Sequence, residues 1–205
     1  MVIGIIGSGN IGAALAQLLV QVGHEVVISN SRGPASLKDF VAKLGPRARA
    51  GTVTEAATSG EVVIEAVPFG RYRELPAAAL AGKLVISAAN YYPMRDGAIE
   101  FGGRAQSELM AEHLAGARVV KAFNTIWVKH LYEQGDTTKP VADRRVIFIA
   151  GDNSADKQIV ADLITQIGFG PLDLGSLHAS LIQESDGPVF NKDLTVAQAL
   201  ALLGK

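Results

Sequence analysis

The chain has 205 residues, of which 48% are hydrophobic and 19% charged, enough for one domain with a sizeable core. A formal net charge of -1 gives no bulk attraction to nucleic acid or to an anionic membrane, and neither is expected as a partner. The absence of cysteine excludes disulfides, thiolate nucleophiles and metal–thiolate sites, and no metal site is expected.

Val2–Ile6 is an apolar, β-branched run and reads as a strand. The opening "MVIGIIG" lacks a basic segment and is too short for a secretion signal, and no apolar stretch approaches the ~20 residues of a membrane span, so a soluble, cytoplasmic protein is expected. Residues 11–22 carry apolar side chains at helical spacing and stop at Gly23, and Glu25–Ser29 is a second strand. Pro34 opens a helix whose stripe of Leu37, Phe40, Val41 and Leu44 ends at Gly45. A short strand around 47–50 and a helix through 54–59 follow. "EVVIEAV" is a fourth strand, residues 72–80 a helix and "KLVISAA" a fifth strand. Residues 90–104, "NYYPMRDGAIEFGGR", carry turn signals and read as a long loop, a feature that is usually functional or disordered. A helix over 107–114, the strand "RVVKAF", a helix to about Glu133, the strand "RVIFIAG", a helix over 155–167, the extended "GPLDLG" and a helix over 195–203 complete the chain.

Strands alternating with helices, the strands apolar on both faces, predict parallel βαβ units. The expected fold is α/β, a doubly wound Rossmann-type parallel sheet of six strands with a small C-terminal αβ extension. It forms a single domain over 1–205, with an appendage from about residue 176.

Gly7, Gly9 and Gly12 form G-x-G-x-x-G in "GSGNIG", between the first strand and the first helix. In dinucleotide-binding folds the first glycine makes the turn, the second admits the pyrophosphate and the third lets helix and strand pack closely. The helix N-terminus then offers free N–H groups to the phosphates. NAD-binding folds end the second strand in Asp or Glu, bonded to the ribose 2′-hydroxyl. Here the strand runs into Asn30-Ser31-Arg32, a guanidinium flanked by amide and hydroxyl groups that suits a 2′-phosphate. NADP(H) is therefore the expected cofactor.

With these motifs, and with "AVPF", "KAFNTI" and "IAGD" where that family has its loops, nearly the whole chain resembles the NADPH-dependent coenzyme F420 reductases (F420H2:NADP oxidoreductases). It is similar as well to the NADPH-binding domain of membrane ferric reductases. The resemblance implies hydride transfer between NADPH and a deazaflavin or flavin-like acceptor. It implies Ser8, Asn10 and Ile11 on the pyrophosphate and Ser31 and Arg32 on the 2′-phosphate. Val67, Pro68, Ala89 and Asn90 would border the ribose and nicotinamide, and Asn124, Thr125, Ile126 and Trp127 would line the acceptor side. "NTIW" departs from the archaeal enzymes' His-Thr-Ile-Pro-like loop, which leaves open a deazaflavin, a flavin or a small carbonyl or imine. A homodimer through the C-terminal end is expected from the resemblance alone.

Hydride transfer needs two rings held ~3–3.5 Å apart rather than a nucleophile, so a site without cysteine or a triad suits it. No catalytic acid or base is assigned. Of the four histidines, His24 and His113 read as structural, while His130 and His178 follow strands closely enough to be candidates. Trp127, the only Trp, either stacks on a flavin-like ring or packs in a core or interface. Tyr91 and Tyr92 shield the nicotinamide or are ordinary loop aromatics. "DGPVFNKD" carries no decisive chemistry, and the apolar face of the last helix reads as internal packing. A non-catalytic NADP(H)-binding, redox-sensing module is the alternative to an enzyme.

Overall fold

In the computed structural model, which describes residues 1–205, the strands lie where apolar runs meet turn residues. They are β1 (Val2–Ile6), β2 (Glu25–Ser29), β3 (Ala48–Ala50), β4 (Val62–Glu65), β5 (Leu84–Ser87), β6 (Arg118–Lys121), β7 (Val146–Gly151) and β8 (Gly170–Gly175). The α-helices are α1 (Asn10–Gln21), α2 (Lys38–Leu44), α3 (Val53–Ser59), α4 (Ala77–Leu80), α5 (Pro93–Asp96), α6 (Gln106–His113), α7 (Val128–Glu133), α8 (Ser154–Gln166) and α9 (Val196–Leu202). No helix is long and apolar enough to cross a membrane.

One eight-stranded sheet runs β3-β2-β1-β4-β5-β6-β7-β8. Alternate residues of each strand enter opposite layers. Ile3, Ile5, Ile64 and Ile86 pack in one layer with Leu15 and Leu19 of α1 and Val160 and Ile164 of α8. Val27, Val63, Val85 and Val119 pack in the other with Ala56 and Ala57 of α3 and Met110 of α6. The order reverses at β1, whose neighbours are β2 and β4, both parallel to it. In such sheets the crevice outside the carboxyl ends at that reversal is the ligand site.

Three features differ from the sequence expectation. The last αβ unit is part of the same sheet, and β7 runs antiparallel to β6, with Lys121 opposite Ala150. A parallel return needs a crossover spanning the depth of the sheet. The six-residue α7 rises only about 9 Å. The chain instead stays at the carboxyl edge of β6 and turns straight back, whereas the 13-residue α8 carries β8 round parallel to β7. The helix expected over 72–80 is two pieces, a 3-10 turn over Phe69–Glu74 and then α4. Pro76 forces Leu75 into an extended conformation (ψ 139°) and ends the first piece. The 90–104 segment is a packed element rather than a free loop. Asp96 accepts from the Tyr92 amide (2.9 Å) and closes α5, and Tyr91 and Phe101 pack on the buried Phe69.

Two histidines hold the frame together. His24 is buried and bonds Gln166 at 2.7 Å; His113 bonds the Leu75 carbonyl at 3.2 Å, edge-on to Tyr72. Val196 and Ala199 of α9 are buried against Val146, Phe148 and Leu172, so that face packs internally.

Candidate dinucleotide and acceptor site

Each glycine of the loop answers a different demand. Gly7 turns the chain out of β1 at φ 111° and donates to the Ser29 carbonyl at 3.0 Å, tying the loop to β2. A Cβ on Gly12 would lie 1.9 Å from the Gly7 carbonyl oxygen, so α1 can start here only with a glycine. A Cβ on Gly9 would meet nothing within 4 Å. The chain itself needs Gly7 and Gly12, but the bareness of Gly9 serves something that is not protein. Gly9 supplies no side-chain cap to α1, and the first turn of α1 holds no acidic residue, so its leading N–H groups face the crevice unneutralised. These features fit a dinucleotide pyrophosphate.

Beyond β2, Asn30 acts as scaffold. Its amide donates to Ser8 (3.2 Å) and Ser36 (3.0 Å), and its oxygen accepts from the Arg32 N–H (2.9 Å). The turn presents Ser31 and Arg32 to a cavity of about 370 Å³ that Gly7, Ser8 and Gly9 also line. No ion pair of the chain engages Arg32.

A second cavity of about 360 Å³ shares Gly9, Val67 and Pro68 with the first and extends past Asn10 and Ile11 to Ala89, Asn90, Asn124, Ile126 and Trp127. The two together form a continuous trough across the carboxyl ends of β2, β1, β4, β5 and β6. Of the residues expected in the site, Gly12 lies under the loop and Thr125 is buried with its hydroxyl unpartnered; neither lines a cavity wall. Asn90 and Asn124 form a reciprocal pair: Asn90 donates to the Asn124 carbonyl (2.8 Å) and Asn124 to the Asn90 side chain (3.0 Å). Phe123, just before Asn124, holds a positive φ of 65°, rare for a bulky residue.

Trp127 is 61% exposed at the mouth, ruling out core packing, and stacks on His130 with centroids 6.5 Å apart. Tyr92 lines the cavity beneath the Arg95 guanidinium, whereas Tyr91 faces the Phe69 cluster. His178 pairs with Glu108 of α6 at 2.8 Å and takes no part in the cavity.

The sequence reading missed two groups. Phe190 and Asn191, inside "DGPVFNKD", line the second cavity. Their segment is held by Glu184, which accepts from the Gln106 amide (2.6 Å), and by Asp193, which pairs with the buried Arg145 (3.1 Å). The other group is a polar row at the strand ends, where Glu65, Ser87 and Lys121 stand in register on β4, β5 and β6. A single charged residue inside each of two apolar runs, "VVIEAV" and "VVKAF", was the available signal. Ser87 donates to Glu65 (3.0 Å), and Lys121 donates to the Ala89 carbonyl, bracing the segment that leads to Asn90.

Burial pushes the Glu65 carboxyl up and the Lys121 ammonium down to about 8, the latter partly offset by the Glu65 and Glu184 carboxylates. Because Lys121 binds its proton more weakly folded than unfolded, its contribution to stability is fully present only above about pH 10.4 and is lost as pH falls through about 8. Urea unfolding of the wild type and Lys121→Met should diverge with pH. The wild type should gain about 2 kcal/mol relative to the variant between about pH 7.5 and 10. A pH-independent difference would show that Lys121 titrates normally.

A glycine turn feeding a helix at the reversal point of a parallel sheet, with a free guanidinium beyond β2, defines a dinucleotide-binding Rossmann protein of the NADP type. Residues 2–91 match the family model described as NADP oxidoreductase, coenzyme F420-dependent, and this first part of the chain belongs to that family. It is 35% identical to hypothetical protein SMa0349 of Sinorhizobium meliloti, with a TM-score of 0.84 and 95% of each chain covered. It is 33% identical over 180 residues to metalloreductase STEAP3 of Rattus norvegicus, covering 87% of this chain. The chain spans only about a third (34%) of that relative's length. A structure described as an F420-dependent NADP reductase of an Arthrobacter species shares the fold, with a TM-score of 0.73 at 23% identity and 98% and 90% of the two chains covered. The chain is thus an NADP-binding oxidoreductase domain.

Proposed function

We propose that this domain transfers hydride between NADP(H) and a flat, flavin-like acceptor, either a flavin or the deazaflavin coenzyme F420. The observation that carries this reading is Trp127, an indole left 61% exposed at the mouth of the cavity that Ala89, Asn90 and Asn124 also line. An aromatic plane kept in water beside the nicotinamide end of the trough suits a stacked ring system. NADPH, when bound, supplies the hydride from its nicotinamide. The protein's own part is placement. Ser8, Asn10, Ile11 and the first turn of α1 hold the pyrophosphate, Ser31 and Arg32 the 2′-phosphate, and Val67 and Pro68 the ribose. Ala89 and Asn90, braced by Lys121 and Asn124, fix the ring face. Phe190 and Trp127 wall the acceptor side.

The test is NADPH oxidation with coenzyme F420, FMN, FAD, ferric chelates and quinones as acceptors. Turnover is expected with a flavin or deazaflavin; tight NADPH binding with no turnover would indicate a redox-sensing module instead. Trp127→Ala should raise the acceptor KM about tenfold while NADPH affinity holds. Loss of NADPH affinity alone in that variant would move Trp127 to the cofactor side.

A further inference from the structure

The first cavity has a second guanidinium that the sequence motifs do not account for. Arg71 sits on the 3-10 turn after β4 and lines the same cavity as Arg32, which follows β2. Because β2 and β4 are the two neighbours of β1, these arginines flank the crevice outside β1 from either side. The turn that carries Arg71 is anchored by the buried and stacked rings of Phe69 and Tyr72 (centroids 4.9 Å apart).

Glu74 grips the edge of Arg71. The Arg71 Nε donates to both carboxylate oxygens (2.9 and 3.0 Å), and its Nη2 donates to Oε2 (2.5 Å). This pairing decides what Arg71 is free to do. The side-on edge of the guanidinium, Nε and Nη2, is filled, and the carboxylate beside it disfavours a phosphate dianion on this side chain, although Nη1 makes no bond within the chain. The flat face of the guanidinium also stays open, in a cavity wall that the apolar Val53 and Leu75 share. A guanidinium face flanked by aliphatic side chains suits a planar heteroaromatic ring.

We infer that Arg71 covers one face of the cofactor's adenine and that Glu74 is a positioning residue that keeps the guanidinium edge-bound and its face presented. The division of labour is then clear. Arg32 discriminates the 2′-phosphate, while Arg71 serves the base, which NADP(H) and NAD(H) share. The inference rests on the cofactor reading above and adds the base-binding wall to it.

Calorimetric titration of wild type, Arg71→Ala, Arg71→Lys and Glu74→Gln with NADPH, NADH, 2′,5′-ADP and 5′-AMP tests it. Arg71→Ala should weaken all four ligands by the same factor, about three- to tenfold. Arg71→Lys should not restore the loss, since an ammonium has no flat face. Glu74→Gln should weaken all four by a smaller common factor. A loss confined to NADPH and 2′,5′-ADP would make Arg71 a phosphate ligand and overturn the inference. Unchanged affinities in Arg71→Ala would reduce the pair to a surface ion pair and overturn it equally. A wild type that binds none of the four would overturn the cofactor reading itself, an outcome visible before any variant is made.

Discussion

Gly9→Val is expected to fold as the wild type does and to lose dinucleotide binding. The space a Cβ would enter at Gly9 is empty of protein for 4 Å, so the variant meets no steric obstacle while folding. Gly9 also has an ordinary extended backbone, φ -70° and ψ -173°, which valine adopts readily. The branched side chain would instead stand where the pyrophosphate must approach the α1 N–H groups. Affinity should fall about 100-fold or more, the equivalent of about 3 kcal/mol of overlap. Gly12→Ala is the informative contrast. Its Cβ would lie 1.9 Å from the Gly7 carbonyl oxygen, so the damage should appear as lost stability. Thermal unfolding and NADPH titration of both variants check the pair. A folded Gly9→Val protein with wild-type affinity would remove the pyrophosphate from this loop.

Arg32→Ala should weaken NADPH binding by about 10- to 100-fold and leave NADH almost unchanged. A hydrogen bond to a charged group contributes roughly 1.5–3 kcal/mol, and exposure and salt push it toward the lower end. Arg32 is exposed and has no carboxylate to satisfy, so removing it leaves nothing else unpaired. Ser31 and the Asn30 scaffold stay in place, since Asn30 bonds the Arg32 backbone and not its side chain. The NADPH loss should shrink as salt is raised. Equal losses for both cofactors, or a wild type that prefers NADH, would contradict the assignment.

What could be read in the sequence was what is local. The strands are unbroken apolar runs because both faces are covered, and the glycine loop shows itself because turn, close approach and helix packing each require a missing side chain. The motif could not say which glycine serves the fold and which the ligand; that came from the space around Gly9 and Gly12. The break at Pro76 is legible in the sequence, since the residue before a proline is pushed toward an extended conformation. The reversal of β7 was not legible, because it depends on how far α7 reaches across the sheet. The row of Glu65, Ser87 and Lys121 becomes a row only when strand order and register are known. Phe190 and Asn191 belong to the site through contacts that no local pattern encodes. Thr125, in the middle of "NTIW", shows the converse, a residue inside a site motif whose side chain turns into the protein.

The reversed strands have a temporal consequence. Because β7 and β8 run against the rest of the sheet, β8 delivers the chain to the far edge, and the segment after it must travel back to the acceptor cavity. That return is fastened by bonds that span the molecule: Asn124 to the Gln183 carbonyl (2.6 Å), the Gln106 amide to Glu184 (2.6 Å) and Ser185 to the Tyr91 carbonyl (3.2 Å). These partners are 59, 78 and 94 residues apart in the chain. The glycine loop, the Asn30–Arg32 turn and the β4 and β5 edges all lie within the first 90 residues. During vectorial synthesis, which proceeds at about 5–20 residues per second, the nascent protein holds the pyrophosphate and 2′-phosphate parts of its cofactor trough several seconds before residue 191 exists. The wall that faces the acceptor closes last.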